Sequence, residues 1–379
     1  MKIQQLLVHF DTFEEVYGDE HFDPQENCLV LAFGQTTLLE KHPLFHRLRL
    51  RYPNATILIC SSSGQISNRV RIEEAIVVTA IQFEKARFKA FEFEDQHDNS
   101  IQEMGKTFSA ELVTSDLKAV LLLSEGTHVN GSELIQELIT QSAGKIPFFG
   151  GLAGDEYRFE KTMVGLNADA QPGKIVAVGF YGEALKFGFA SEGGWADFGP
   201  EREVTHSNKN VLYRIGDRNA LELYKDYLGK YADELPGSAL YFPLSMKENP
   251  DAEPVVRTIL AIDEQEKSMT FAGNIPLGSR VRFMRGNIDK LIDAAANAAM
   301  HLRTQLPYRP QIAFLVSCVG RRIVLAERVD EELEFIKQTF GNDTVLFGFY
   351  SYGEISPDKY DLGCELHNQT MTIATLFEA

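Results

Sequence analysis

The sequence predicts an α/β fold in two domains, made of largely buried parallel or mixed sheets and strand–helix–strand repeats. Three observations carry this prediction. The same sentence, an apolar strand followed by a helical stretch and a second apolar strand ending near glycine, is written three times. The glycines that close its two strands, Gly34 to Gly64, Gly126 to Gly154 and Gly320 to Gly353, lie 30, 28 and 33 residues apart, about one strand–helix–strand unit. The strands are also apolar without interruption, the pattern of sheets covered on both faces.

The first unit runs from LVLAFG at 29–34 through a helical stretch at 38–50 to TILICSSSG at 56–64. The second runs from VLLLSEG at 120–126 through a helix at 132–141 to PFFGGLAG at 147–154. The third joins AFLVSCVG at 313–320, by the periodic run 333–340, to VLFGFYSYG at 345–353. The first and third units end alike, SGQIS at 63–67 against YGEIS at 352–356, as an internal duplication would. Between the units, residues 75–83, 175–180 and 187–191 read as strands. Residues 218–231 read as a helix with Leu221, Tyr224, Tyr227 and Leu228 on one face. A hairpin is expected from 257–263 and 268–272 around the polar turn 264–267. Asn287 should cap a long helix with the stripe Ile288, Leu291, Ile292, Ala295, Ala299 and Leu302, ended by Pro307 and Pro310. These elements divide the chain into an arm at 1–27, one domain at 28–217 and a second at 218–379.

Composition narrows the class of function. The 379 residues are 44% hydrophobic and 24% charged, with a net charge of −17. An acidic surface repels phosphate backbones, which argues against nucleic acid and anionic membrane as partners. Cys28, Cys60, Cys318 and Cys364 stand far apart without a CxxC pair, the pattern of a reducing compartment rather than of a disulfide or zinc scaffold. No signal peptide and no apolar run of membrane-spanning length is evident, so a cytoplasmic protein is expected.

The motifs of known chemistries are missing: no GxxxxGK[ST], HExxH, EF-hand loop or GxSxG. His42 and His46 have helical metal-ligand spacing, but Pro43 separates them and no third ligand stands near, so no metal is expected. The polar residues gather instead at predicted strand ends in the last third. Arg321 stands just past one strand, near Cys318 at its end; Tyr352 and Glu354 follow another; Asn368 lies in a polar cluster before the last strand; Arg257 opens the expected hairpin. Ligands of open α/β sheets sit outside the carboxyl ends of the strands. There Arg321 and Arg257 would hold an anionic group and Glu354 a cationic one, with Tyr352 and Asn368 orienting the ligand. The bland alternative is an Arg321–Glu354 salt bridge stapling two loops. A nucleophilic Cys318 activated by Arg321 has no histidine partner in the spacing, and the chain is not expected to be an enzyme.

At these residues the chain resembles the FIST family of intracellular signalling proteins. The resemblance rests on GDRNALELYKDY at 216–227, SCVGR at 317–321, GFYSYGEI at 348–355 and LHNQT at 366–370, with CSSSGQI at 60–66 and Gly193-Gly194-Trp195 in the first half. It implies a FIST N-terminal domain followed by a FIST C-terminal domain, and a sensor that binds a small ligand such as an amino acid. Trp195 joins the ligand-binding candidates on this ground. The resemblance further implies signalling through a separate partner such as a histidine kinase. It also implies an alternative, a haem-binding nitric oxide sensor. Where many relatives carry a histidine just ahead of the Gly-Trp pair, this chain has Gly193, which counts against haem.

Overall fold

Each repeat folds into one parallel strand pair. The pairs are Leu29–Gly34 with Thr56–Ser61, Leu117–Ser124 with Phe148–Leu152, and Ile312–Cys318 with Val345–Ser351. The computed structural model describes residues 1–10, 12–68, 70–94, 100–235, 237–357 and 363–379. In it every pair is extended on the side of its first strand by two antiparallel strands, and the first pair by a third, Phe13–Gly18, at the sheet edge. The two are Ile76–Gln82 and Lys2–Val8 in the first sheet, and Lys174–Tyr181 and Arg87–Glu94 in the second. In the third they are Met371–Glu378 and Leu185–Glu192. The sheets are therefore mixed rather than parallel. Antiparallel strands such as IVVTAIQ and KIVAVGFY are as apolar as the parallel ones, because all of them are covered on both faces.

What lies beyond the second strand of each pair is exchanged. After Thr56–Ser61 the chain leaves its own sheet, and Gln65–Ser67 pairs with Val345–Ser351 of the third. After Val345–Ser351, Gly353–Pro357 pairs with Phe148–Leu152 of the second. After Phe148–Leu152, Val164–Leu166 pairs with Thr56–Ser61 of the first. Each unit gives the same strand to a neighbour, and the third gift closes the ring.

The inner faces of the three sheets meet in one core, where Phe33 stacks on Phe349 at 4.7 Å and Phe149 meets Phe314 edge-on at 6.2 Å. Each such ring contributes roughly 1.5–3 kcal/mol by leaving water. The outer faces are covered by helices: Thr36–Lys41 and Phe45–Arg51 on the first sheet, Ser100–Leu112 and Gly131–Gln141 on the second. Ile288–Gln305 and Val329–Phe340 cover the third. Asn287 caps Ile288–Gln305 by accepting the Lys290 N–H at 3.1 Å, and its buried stripe includes Leu291, Ile292, Ala295, Ala299 and Leu302.

The third unit carries a fourth sheet between Leu185–Glu192 and Ile288–Gln305. Its strands include Ala196–Asn208, Leu244–Lys247, Ser268–Phe271 and Arg280–Arg285, around a separate core of Leu212, Tyr224, Phe271 and Phe283. The helix here is Ala220–Leu228, capped by Asn219, and the chain continues as the tighter turn Gly229–Glu234. The hairpin is Ile259–Asp263 with Ser268–Phe271. Arg257 does not open it but ends Val255–Arg257, paired with Leu244–Lys247, because Thr258 steps out of the ladder and gives its N–H to the Asn368 side chain. Residue 218 falls inside this sheet, where Val211–Ile215 pairs with Arg218–Asn219. Residues 1–27, expected as an arm, include Lys2–Val8, held between two strands because Ile3, Leu6 and Val8 are buried. No helix among the described residues is long and apolar enough to cross a membrane.

Candidate functional site

All three parallel pairs end at one place, and a triangle of backbone hydrogen bonds ties their ends together. Gly154 N donates to Ser61 O at 3.1 Å, Ser63 N to Tyr350 O at 2.8 Å and Tyr352 N to Leu152 O at 3.2 Å. In each unit the donor lies two residues beyond the acceptor, so Ser61, Leu152 and Tyr350 are equivalent positions. Gly154 has to be glycine here: a Cβ would lie 2.7 Å from Ser63 N and 3.0 Å from Tyr350 O. Units one and three restart a strand at once, at Gln65 and Gly353, whereas unit two first makes the loop 153–163.

That loop and the loop 125–130 are each built around a buried carboxylate. Glu125 accepts from Thr127 N and Thr162 Oγ1, both at 2.6 Å, and from His128 N at 2.8 Å and Val129 N at 3.3 Å. Burial opposes its charge, but the Thr162 hydroxyl and the His128 and Thr127 N–H groups outweigh burial and hold it below the usual carboxylate range. Asp155 accepts from Lys161 N at 2.9 Å and Glu160 N at 3.3 Å and pairs with Arg158. Burial again opposes ionisation, and the Lys161 N–H with further bonds holds the carboxyl low. The clamped loop carries Phe159 onto Tyr352: the rings stack at 4.4 Å and 15°, and Phe159 N donates to Tyr352 Oη at 3.1 Å.

Opposite this stack stand Leu240, of the helical turn Gly237–Tyr241, and Ile259 and Leu260 of the inserted sheet. The space between is a cleft of about 380 Å³, walled also by Gly126, Thr127 and Gly237. A recess of about 210 Å³ shares the walls Gly126, Thr127, Phe159, Leu260 and Tyr352 and reaches His128 and Phe271. The cleft thus lies outside the carboxyl ends of strands Leu117–Ser124, Phe148–Leu152 and Val345–Ser351, where ligands of α/β sheets are found.

Of the residues singled out from sequence, Tyr352 lines this cleft. Arg257 lines a second cleft, of about 590 Å³, whose walls carry Glu133, Glu248, Glu253 and Glu365. Its buried guanidinium already donates to Asn274 O at 3.2 Å and Leu366 O at 2.8 Å, and lies 3.6 Å from Glu365. Arg321 is enclosed by protein. It donates to Glu332 Oε2 at 2.9 Å, to Gly193 O at 2.6 Å and to Leu291 O. The staple it forms is with Glu332, not Glu354.

Glu354 accepts from Ser351 Oγ at 2.6 Å and from Thr370 N and Oγ1 at 3.2 and 3.0 Å. Burial pushes its carboxyl up to about 8 against these bonds. Cys318 stands at the N-cap position of the helix Val319–Leu325 without a side-chain capping bond. Burial raises its thiol well above the ordinary value, Glu354 adding to the rise, so the thiolate that nucleophilic attack needs is disfavoured. Asn368 is buried with Oδ1 facing Thr258 N at 3.5 Å. Trp195 donates Nε1–H to Gln369 O at 2.8 Å. The structure therefore groups Cys318, Glu354 and Thr370 around one strand end, and keeps Arg257, Arg321 and Trp195 in separate surroundings.

Sequence reasoning missed Glu125, Asp155, Phe159, Leu240, Ile259 and Leu260. One signal was there: unit two has an extra loop, GDEYRFEKT at 154–162, where the other two restart a strand. The inserted wall left none, because its approach to the strand ends is a tertiary event.

No curated protein matches the chain. Among protein families, residues 28–218 match the FIST N domain and residues 220–357 the FIST C domain.

Proposed function

Because the chain belongs to the FIST family, whose domains are associated with signal transduction, we propose that it is a sensor binding a small ligand between Tyr352, Phe159 and Leu260. The observation that carries this reading is the shared construction of the cleft. Gly126, Thr127 and Phe159 come from the FIST N domain, and Leu240, Ile259, Leu260 and Tyr352 from the FIST C domain. A ligand filling about 380 Å³ there would tie the inserted sheet to the ring of three sheets, which is how binding becomes a signal. The signal would pass to a separate protein, a histidine kinase being one candidate. The role is binding rather than catalysis: Cys318 is buried and held as a thiol, and Glu125 and Asp155 spend their oxygens on loop N–H groups.

The test is a thermal-shift screen of metabolites on the wild-type chain and on Leu260→Glu. Leu260 is 43% exposed, so a charge there spares the fold while entering the cleft. A ligand at a hundred times its Kd stabilises by about 2.7 kcal/mol, several degrees in melting temperature. The variant should lose that shift; a hit that stabilises both proteins equally binds elsewhere.

Haem is favoured by one observation, His128 Nδ1 lying 3.6 Å from Glu125 Oε1, as carboxylates orient axial histidines. The residues do not otherwise fit the group. His128 lies on the recess of about 210 Å³, short of the ~300 Å³ at which ordinary ligand pockets begin. Among the described residues, the wider part of the cleft has no histidine on its walls. A stoichiometric Soret band on adding haem, lost in His128→Ala, would reinstate that reading.

A further inference from the structure

We infer that the ligand of this cleft is a flat ring without formal charge, bearing an amide-like edge and seated against Tyr352 in the place that Phe159 occupies. The inference rests on the cleft being the binding site and adds the chemistry of what it takes.

Charge comes first. Among the described residues, the walls of the main cleft carry no acidic or basic side chain, and burial pushes the Tyr352 phenol well above its ordinary value, so it stays neutral. The carboxylates behind the walls, Glu125 and Asp155, are saturated by protein donors. The N–H groups that would greet an anion are spent as well: Gly126 N donates to Thr162 Oγ1 at 2.8 Å, and Thr127 N and His128 N donate to Glu125. An ammonium or a carboxylate entering here would lose its water and find no charged side chain among the described wall residues to pair with. That disfavours the zwitterion of an amino acid.

Shape comes second. Phe159 lies over Tyr352 in near-parallel contact, the arrangement two flat rings prefer when offset. Its backbone has φ +56, a left-handed conformation that is strained for a bulky residue. It is also 40% exposed, so its removal from the stack opens a ring-shaped seat at small loss of burial.

Polarity comes third. Thr258 adjoins the wall residue Ile259, and Gln369 Nε2 donates to the carbonyl of the wall residue Leu240 at 3.3 Å. Behind these two walls, Thr258 Oγ1, Asn368 Nδ2 and Gln369 Oε1 are buried without a partner. Buried polar atoms are nearly always satisfied. None of these three residues is on the cleft wall as it stands, so a ligand edge would reach them only where Leu240 or Ile259 gives way. A donor and an acceptor among them match an edge that offers one of each, as an amide does.

The experiment is calorimetry on the full chain with benzamide, benzoate and L-phenylalanine, repeated on Leu260→Glu, Phe159→Ala and Asn368→Leu. Benzamide should bind at least tenfold more tightly than either charged probe. Leu260→Glu should abolish its binding, Phe159→Ala should tighten it severalfold and Asn368→Leu should weaken it about tenfold. Tighter binding of benzoate or phenylalanine, still lost in Leu260→Glu, would overturn the ligand class and leave the cleft as the site. Benzamide binding that ignores Leu260→Glu would instead overturn the cleft itself. Silence from all three probes at millimolar concentration, or weaker benzamide binding by Phe159→Ala, would sink the uncharged-ring inference.

Discussion

Glu354 receives hydrogen bonds from Ser351 and Thr370, while Arg321, the cation that acts on it, spends its donors on Glu332, Gly193 and Leu291. Burial therefore dominates, and the carboxyl of the folded chain keeps its proton up to about pH 8. In the unfolded chain the same group loses it near the ordinary value of 4.5. Between those values the folded state binds more protons, so stability falls as pH rises, by at most about 1.4 kcal/mol per pH unit. Glu125 and Asp155, held low, act with the opposite sign and at acid pH. Glu354→Gln keeps the neutral form at every pH. Urea denaturation at pH 5, 6.5 and 8 should show the variant gaining on wild type as pH rises; parallel curves would mean that Glu354 is ionised throughout. From sequence, Arg321 and Tyr352 were legible as residues beyond strand ends, which is where they lie, whereas Cys318 is the last residue of Ile312–Cys318 and Glu354 sits inside the exchanged strand Gly353–Pro357. Their partners were not, since the pairing of Arg321 with Glu332 depends on how two helices pack on the third sheet.

The strands and their helices were legible because burial writes itself as apolar runs. Their direction was not. Three sheets pressed together inside and backed by helices outside leave central strands such as Ile76–Gln82 and Lys174–Tyr181 no wet face, so these antiparallel strands lose the alternation that edge strands such as Arg87–Glu94 keep. The exchanged strands are three to five residues long, too short for periodicity, and only the likeness of SGQIS to YGEIS hinted at them. Gly154→Ala tests the triangle at which they diverge. Its Cβ would press on Ser63 N and Tyr350 O, backbone atoms of two other sheets that cannot step aside. A loss of about 1–3 kcal/mol is expected, read as an earlier denaturation midpoint. An unchanged midpoint would mean that the three strand ends are not in contact in solution.

The two family domains are not two bodies joined by a linker. Unit three, which lies mostly in the C-terminal half, takes Gln65–Ser67 and Leu185–Glu192 from the N-terminal half and returns Gly353–Pro357 to it. A fragment ending at residue 217 would expose unpaired sheet edges along Phe148–Leu152 and strip Gln65–Ser67 of its partner. We expect residues 1–217 and 218–379, made separately, to be unfolded or aggregated by circular dichroism and size exclusion. A monomeric, cooperatively melting 1–217 would refute the shared-sheet fold. The inserted sheet stands apart from this interdependence. Ala196 pairs with Arg285 across its base, and a Cβ on Gly286 would lie 3.0 Å from the Trp195 ring, so the chain enters and leaves at one point. Three identical gifts around a ring are also what three separate copies of one unit would make by swapping strands. The fold is thus a closed ring of three like units, each holding a neighbour's strand, with a sheet inserted in the last that walls off a cleft and leaves the ring unbroken.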